Sequence, residues 1–283
     1  MTSQQKAPAE SATQSLRVQG AASTALYGLI KGDKTKATVV GTSDDTVWME
    51  ADDRIVAVTT RDFTRWPIAA HLDPAAGADL GPGIVPSDQV QIGNGRIMFT
   101  ELSVEIAEWW DPRPALAATT VDELARRVLG LPGDIPGISS EMLENALESR
   151  SAGGILHAAR FLLGKGPGLT PDGDDLLMGA LAATRLLGEA IGNDRTIAMM
   201  AGISTPMAQL AEARTTTFSA ALIQAALRGQ VGKPAGEFLN ALSGRGSLAP
   251  SHLKLIRLSH TSGPALAAGV VLGAKALTVA AAE

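Results

Sequence analysis

The stretch ILHAARFLLGKGPGLTPDGDDLLMGAL, residues 155–181, separates two folds. A glycine turn that opens a helix marks dinucleotide-binding sheets, but only when a strand leads into it. Here the lead-in, ILHAARFLLG, has helical spacing, so the segment reads as helix, glycine loop, helix. No Gly-Lys-Ser/Thr closes the loop, which excludes a Walker A phosphate loop. Gly164, Gly166 and Gly168 alternate. Pro171 suits a first helical turn, and Thr170 or Asp172 is expected to cap it. Such a loop aims backbone N–H groups at whatever lies ahead of the helix. A cap uses one carboxylate, and the helix dipole favours it by about 0.3–1 kcal/mol. Asp172, Asp174 and Asp175 exceed that need, so one of them is expected to face a ligand.

Outward from this point the composition divides. All four tryptophans, Trp48, Trp66, Trp109 and Trp110, precede residue 119, and the later part is rich in Ala, Leu and Gly. Aromatic and β-branched residues suit strands, while Ala and Leu suit helices. Residues 37–40, 46–50, 55–59, 90–92, 96–99 and 103–109 read as strands, with SDD, ADD and GNG turns between some of them. DPAAGADLGPGIVPSD, residues 73–88, is a loop. WWDPRPAL is the exit from a small, mostly antiparallel sheet or barrel. From Thr120 the period is helical. Val121, Leu124, Val128 and Leu129 share one face, and Leu176, Ala180, Ala183 and Leu187 another. Met207, Leu210, Ala211, Phe218 and Leu222 form a third set, on an apparently continuous helix. The expected fold class is α+β: a small antiparallel β-rich N-terminal domain, residues 16–118, followed by an all-α C-terminal domain of five to seven helices, residues 119–283. Residues 1–15 are polar and small, and are expected to be disordered.

Bulk properties exclude several functions. The chain has 283 residues, 45% hydrophobic, with a formal net charge of −5 and no basic run, so no nucleic-acid partner is expected. It has no cysteine, which removes disulfides, thiol nucleophiles and thiolate metal sites. The N-terminus has no apolar signal segment, and a cytoplasmic location is expected. Residues 263–282 are mostly Ala and Gly and include Lys275, which suits a buried helix rather than a membrane span. His71, His157 and His252 lack metal-ligand spacing, so no zinc site is expected.

Two further polar segments accompany the glycine–aspartate stretch. ARTTTFSAAL, residues 213–222, sets Arg214 beside Thr215, Thr216 and Ser219, an anion cradle if the hydroxyls do not bond their own backbone. LSHTSGPALAAG, residues 258–269, offers Thr261 or Ser262 as a helix cap, with His260 just ahead of it.

Together, GKGPGLTPDGDDLLMG, RTTTFSAALIQAALRG and SHTSGPALAAGVVLG resemble the AllH family, and the likeness takes in the WWDP segment and most of the chain from about Leu16. Ala265 departs from it, standing where the family often has a polar or acidic residue. The resemblance implies a subunit of oxamate carbamoyltransferase, which interconverts oxalurate plus phosphate with oxamate plus carbamoyl phosphate in purine and allantoin breakdown. It also implies partner subunits, one of them similar to acyl-CoA synthetases.

The residues and the resemblance lead to one expected site for a ureido or carbamoyl substrate or an anion. Lys165, Gly166, Gly168, Leu169 and Thr170 form one wall. Thr215, Thr216, Ser219, Thr261, Ser262 and Gly263 complete it, and Arg214 adds charge. Asp174, Asp175 and His260 are the candidate catalytic groups. Two alternatives stand beside this one. The first is a Mg²⁺-dependent amide or ring-opening hydrolase with Asp174 and Asp175 as ligands. The second is a scaffold subunit that has no chemistry of its own.

Overall fold

The computed structural model describes residues 15–60, 64–72, 80 and 83–279. The disorder expected of residues 1–15 therefore falls almost wholly outside the described residues, as does most of the 73–88 loop. The chain opens with β1 (Leu16–Ser23) and a short helix α1 (Tyr27–Lys31). Then come β2 (Thr35–Ser43), β3 (Thr46–Ala51), β4 (Arg54–Thr59), β5 (Ala69–Leu72), β6 (Gln89–Gly93), β7 (Arg96–Met98) and β8 (Leu102–Trp110).

These strands close into an eight-stranded barrel in the order β1-β5-β4-β3-β2-β6-β7-β8. This overturns the expected small antiparallel domain. Two of the eight pairings, β1 with β8 and β4 with β5, are parallel. Tight turns can join only antiparallel neighbours, so the hairpins β2–β3, β3–β4 and β6–β7 are antiparallel. One parallel pairing joins the first and last strands, and the other joins the consecutive strands β4 and β5. They involve β1 and β5, two strands with little sequence signal.

Turn chemistry sets the hairpins. Gly93 pairs with Arg96 across Asn94-Gly95, and both loop residues have positive φ, +52° and +81°. Asp52 and Asp53, at +46° and +60°, make the equivalent turn between β3 and β4. Alternate side chains fill the barrel, among them Val47 and Met49 of β3, Val56 and Val58 of β4, and Val104 and Ile106 of β8. Helix α1 adds Leu29 and Ile30 to the same core.

Nine helices follow among the described residues, more than expected. They are α2 (Val121–Val128), α3 (Glu141–Glu148), α4 (Ala152–Leu162), α5 (Asp172–Ala190), α6 (Asp194–Arg214), α7 (Thr217–Leu227), α8 (Lys233–Leu242), α9 (Leu248–Ile256) and α10 (Ser262–Val279). Thr120 and Glu123 form a reciprocal capping box on α2. Leu124 and Val128 of α2 are buried as expected, but Leu129 lies past the helix end and is exposed. The helix expected to run on through residue 214 breaks at Thr215. There the backbone turns extended, and Thr216 caps the new helix α7 by accepting from Ser219 N at 3.0 Å. Three β-branched residues in a row favour that break.

At the centre, α5 and α10 pack backbone to backbone. A Cβ on Gly269 would lie 2.1 Å from the Leu176 carbonyl oxygen, and one on Gly179 would lie 2.3 Å from that of Leu266. Helix α10 has the length and hydropathy of a membrane span, yet 72% of it is buried within this protein. Barrel and helices also meet. The outer face of β4 is buried because Ile55 packs with Ile68 against Phe218 and Leu222 of α7. The exit from β8 is anchored on helical partners: Val231 N bonds Pro112 O at 3.0 Å, and Arg113 pairs with Glu189 of α5.

Candidate functional site

The glycine loop lies between α4 and α5. Gly164, Gly166 and Gly168 have φ of +75°, +120° and +89°, so this path is closed to most side chains. A Cβ on Gly166 would also meet Asp172 N at 2.8 Å. Pro171 occupies the N-cap of α5, and no side chain caps that helix. Thr170 therefore serves elsewhere: its hydroxyl lies 3.0 Å from that of Ser262 at the start of α10.

The three polar segments converge, and the adjacent aspartates part company. Asp174 is fully buried, and both its oxygens are committed. Oδ1 accepts from Gly164 N at 2.8 Å. Oδ2 accepts from Ser219 Oγ at 2.7 Å and from Thr215 Oγ1. One carboxylate thus ties the glycine loop to the break between α6 and α7. Thr216 adds a second tie by donating to Leu169 O at 2.6 Å.

Asp175 points to a different place. Neighbouring residues on a helix are about 100° apart, so the two carboxyls cannot share a target. Asp175 is 2% exposed, lines a cavity of about 290 Å³, and its Oδ2 has no hydrogen-bond partner. Burial pushes its pKa well above the ordinary carboxylate value. The Ser262 and Thr170 hydroxyls offset part of that rise, while the charges of Asp174 and Asp172 add to it.

The cavity lies between barrel and helices. Trp48, Trp66 and Pro67 come from the barrel side, and Met178, Phe218 and Leu266 from the helices. Phe218 meets both indoles edge-on, with ring centres 5.8 Å from Trp48 and 5.5 Å from Trp66. Polar groups are few: Asp175, Thr170, Ser259, Thr261, Ser262, Thr64 and Gln230. Among the described residues no Lys, Arg or His lines it. Gly168 and Leu169 form part of its wall; Lys165, Gly166, Arg214, His260 and Gly263 do not. Arg214 is exposed and donates to Arg160 O at 3.2 Å, and His260 is exposed as well. Thr215, Thr216 and Ser219 hold the loop from behind and do not line the cavity.

Sequence reading missed the barrel's residues and, from the helical half, Met178, Phe218, Gln230, Ser259 and Leu266. Trp48 and Trp66 are 127 and 109 residues before Asp175, counted along the sequence. Only barrel closure brings them to α5. Composition marked the tryptophans as strand residues and carried no sign of a shared cavity.

Cationic and acidic side chains meet at a second, larger cleft of about 760 Å³ that shares Pro67 and Gln230 with the cavity. Arg54 of β4 and Arg228 at the end of α7 line it. Burial first, then the Arg54 charge, lowers the pKa of Arg228. Glu50, Asp53 and Glu212 line the same cleft, but none of them is within ion-pair distance of either arginine. As to metals, no group of three His, Asp or Glu side chains among the described residues could hold one, and Asp174 has no free oxygen to offer.

No curated protein and no solved structure matches the chain. Residues 162–274, from the last residue of α4 into α10, are similar to the family model described as oxamate carbamoyltransferase subunit AllH.

Proposed function

We propose that the protein is a subunit of an oxamate-type carbamoyltransferase and that the cavity between barrel and helices holds one of its reactants. One observation carries this reading. Within the family-matched segment, Asp175 is a buried carboxyl with an unpartnered oxygen, and it lines a mostly apolar cavity. A buried polar atom without a partner costs about 1–3 kcal/mol, and a ligand that supplies the missing partner would recover that cost. At about 290 Å³ the cavity is at the small end of ligand pockets, in keeping with a reactant of a few heavy atoms.

The roles divide accordingly. Asp175 orients the reactant, and the hydroxyls of Thr170, Thr261 and Ser262 supply neutral hydrogen bonds. Asp174, Thr215, Thr216 and Ser219 position the loop. An anionic reactant such as phosphate belongs at the second cleft, where Arg54 and Arg228 supply cationic donors. Holding two reactants on either side of Pro67 and Gln230 would contribute by proximity, which carbamoyl transfer requires and which needs no covalent nucleophile.

The test is turnover of the complex reconstituted from this chain and its partner subunits, with oxamate and carbamoyl phosphate supplied. Asp175→Ala is expected to lower turnover at least about tenfold while the complex still assembles by size-exclusion chromatography. Unchanged turnover in an assembled Asp175→Ala complex would remove the cavity from the reaction.

A further inference from the structure

Two cations that the sequence singled out, and that the cavity does not use, lie at the outer end of α4. Lys165 and Arg214 belong to the family-matched segment, and Arg160 comes two residues before it. All three are exposed. They are close neighbours. Arg214 donates to Arg160 O at 3.2 Å, and a Cβ on Gly164, one residue before Lys165, would lie 2.7 Å from Arg214 O. The first of these contacts satisfies a carbonyl in the last turn of α4, where a cation is favoured, and it uses one of five guanidinium donors. No acidic side chain among the described residues is within ion-pair distance of any of the three. A chain of formal net charge −5 thus keeps three cations without a counter-ion at one helix end. Apolar side chains accompany them. Phe161 is 60% exposed and Leu169 is 49% exposed. His157, Arg160 and Phe161 are spaced i, i+3 and i+4 and are all exposed, so they form one solvent face of α4. The His157 ring meets Phe161 edge-on, with ring centres 5.1 Å apart. This face runs into residues 164–169, all exposed, three of them glycines with no side chain to hold a neighbour off. A lone exposed phenylalanine is ordinary. One framed by free cations and bare backbone has the make-up of an interface, an aromatic anchor within a polar rim.

We propose that the outer face of α4 and the glycine loop, with Arg160, Lys165 and Arg214 around Phe161, docks an acidic surface of a partner subunit. This rests on the reading of the chain as a subunit. Charge complementarity selects the occupant: Asp or Glu side chains of the partner meet the three cations, and an apolar side chain covers Phe161. The glycine loop then has two kinds of work. Gly168 and Leu169 line the cavity, whereas Lys165 does not line it and serves the partner. Docking there sets the partner beside the cavity wall that Asp174 holds in place.

The experiment measures binding of the full chain to its immobilised partner subunits by surface plasmon resonance, at low and at high salt. Wild-type association is expected to be about tenfold faster at low salt. The double variant Arg160→Glu, Lys165→Glu is expected to associate about tenfold more slowly and to lose most of that salt dependence. Phe161→Ala is expected to dissociate about tenfold faster, the effect of truncating one interface anchor. Arg126→Glu removes an exposed cation of α2 and should leave both rates unchanged, which controls for net charge. All four side chains are exposed, so the thermal midpoints should stay near that of the wild type. Wild-type rates in the double variant at both salts overturn the inference and leave the transferase reading in place. Equal slowing by Arg126→Glu does the same. A homodimer that the double variant breaks, seen by light scattering, assigns the face to a second copy and overturns the inference as well. If the wild-type chain binds no partner subunit, the subunit reading falls and this inference falls with it.

Discussion

Replacing Asp174 tests whether the buried carboxylate serves the fold or the ligand. Its two oxygens accept three hydrogen bonds, from Gly164 N, Ser219 Oγ and Thr215 Oγ1. Hydrogen bonds to a carboxylate contribute about 1.5–3 kcal/mol each. Not all of that is lost on truncation. Gly164 is exposed, so water can replace the carboxylate at its N–H, and the Thr215 hydroxyl is half-buried. Ser219 is buried and would be left with an unmet hydroxyl. Asp174→Ala is therefore expected to cost about 3–5 kcal/mol. At about 2–4 °C per kcal/mol for a chain of this size, the thermal midpoint should fall by about 6–20 °C. Asp174→Asn should cost far less, about 1–2 kcal/mol. Its carbonyl can keep the Gly164 bond, while its NH₂ group donates to hydroxyls that turn to accept. Differential scanning fluorimetry of the two variants, with urea unfolding as a second measure, gives the ordering. If Asp174→Ala melts within about 2 °C of the wild type, the carboxylate is not the tie that the geometry shows, and its role in positioning the glycine loop has to be abandoned.

Other expectations follow from the same structure. Asp175 has a folded-state pKa above its unfolded value, so the folded protein binds the extra proton. Stability from this group is then greatest below about pH 4 and declines as pH rises toward the folded pKa. Asp175→Asn should therefore be more stable than the wild type at neutral pH, with the gain vanishing near pH 3–4; a gain that persists in acid would contradict the assignment. Gly269→Ala would place a methyl 2.1 Å from the Leu176 carbonyl oxygen, a backbone atom of α5 that cannot swing aside. It should cost about 3 kcal/mol or abolish folding, as read by soluble yield and thermal midpoint. Arg228→Ala should raise the KM for phosphate in the reconstituted complex about tenfold or more with little change in that for its co-substrate oxalurate; equal effects on both would place the phosphate elsewhere. The purified chain without partner subunits is expected to show little turnover, and full activity from it would contradict the subunit reading.

The helical half was readable because its signals are local. Proline and glycine mark the loop at 164–171, and Leu176, Ala180, Ala183 and Leu187 repeat at helical spacing and are all buried. The barrel was readable only in pieces. Six of its strands carry β-branched or aromatic runs next to a turn or loop. β1 reads LRVQGAAS, and β5 is four residues, AAHL. Ala and Gly carry little strand propensity, and four residues give no alternation to count. Those two strands make the parallel pairings, so missing them hid closure as well as handedness of pairing. Gly20 in β1 shows why the signal is weak there. A Cβ at that position would lie 2.5 Å from the His71 carbonyl oxygen of β5, so the close approach of the two strands requires the residue that propensity counts against them.

The same limit explains which part of the site was visible. Three segments of the helical half could be matched by their residue types, and they do meet. Yet residue type could not divide Asp174 from Asp175. Both are acidic, both lie in the first turn of α5, and both are buried. The difference comes from the rotation between adjacent helical positions. One carboxyl turns toward the α6–α7 break, where two hydroxyls and an amide are waiting. The other turns toward α10 and the barrel, where no protein donor reaches its Oδ2. The fold therefore spends the acidic pair on two tasks that depend on each other. Asp174 fixes the loop whose Gly168 and Leu169 form part of the cavity wall, and Asp175 stands inside the cavity that the wall encloses. A change at Asp174 is expected to reach ligand binding through the loop, whereas a change at Asp175 acts on the ligand directly. The two should therefore differ in the ratio of lost stability to lost affinity, even where both lower turnover.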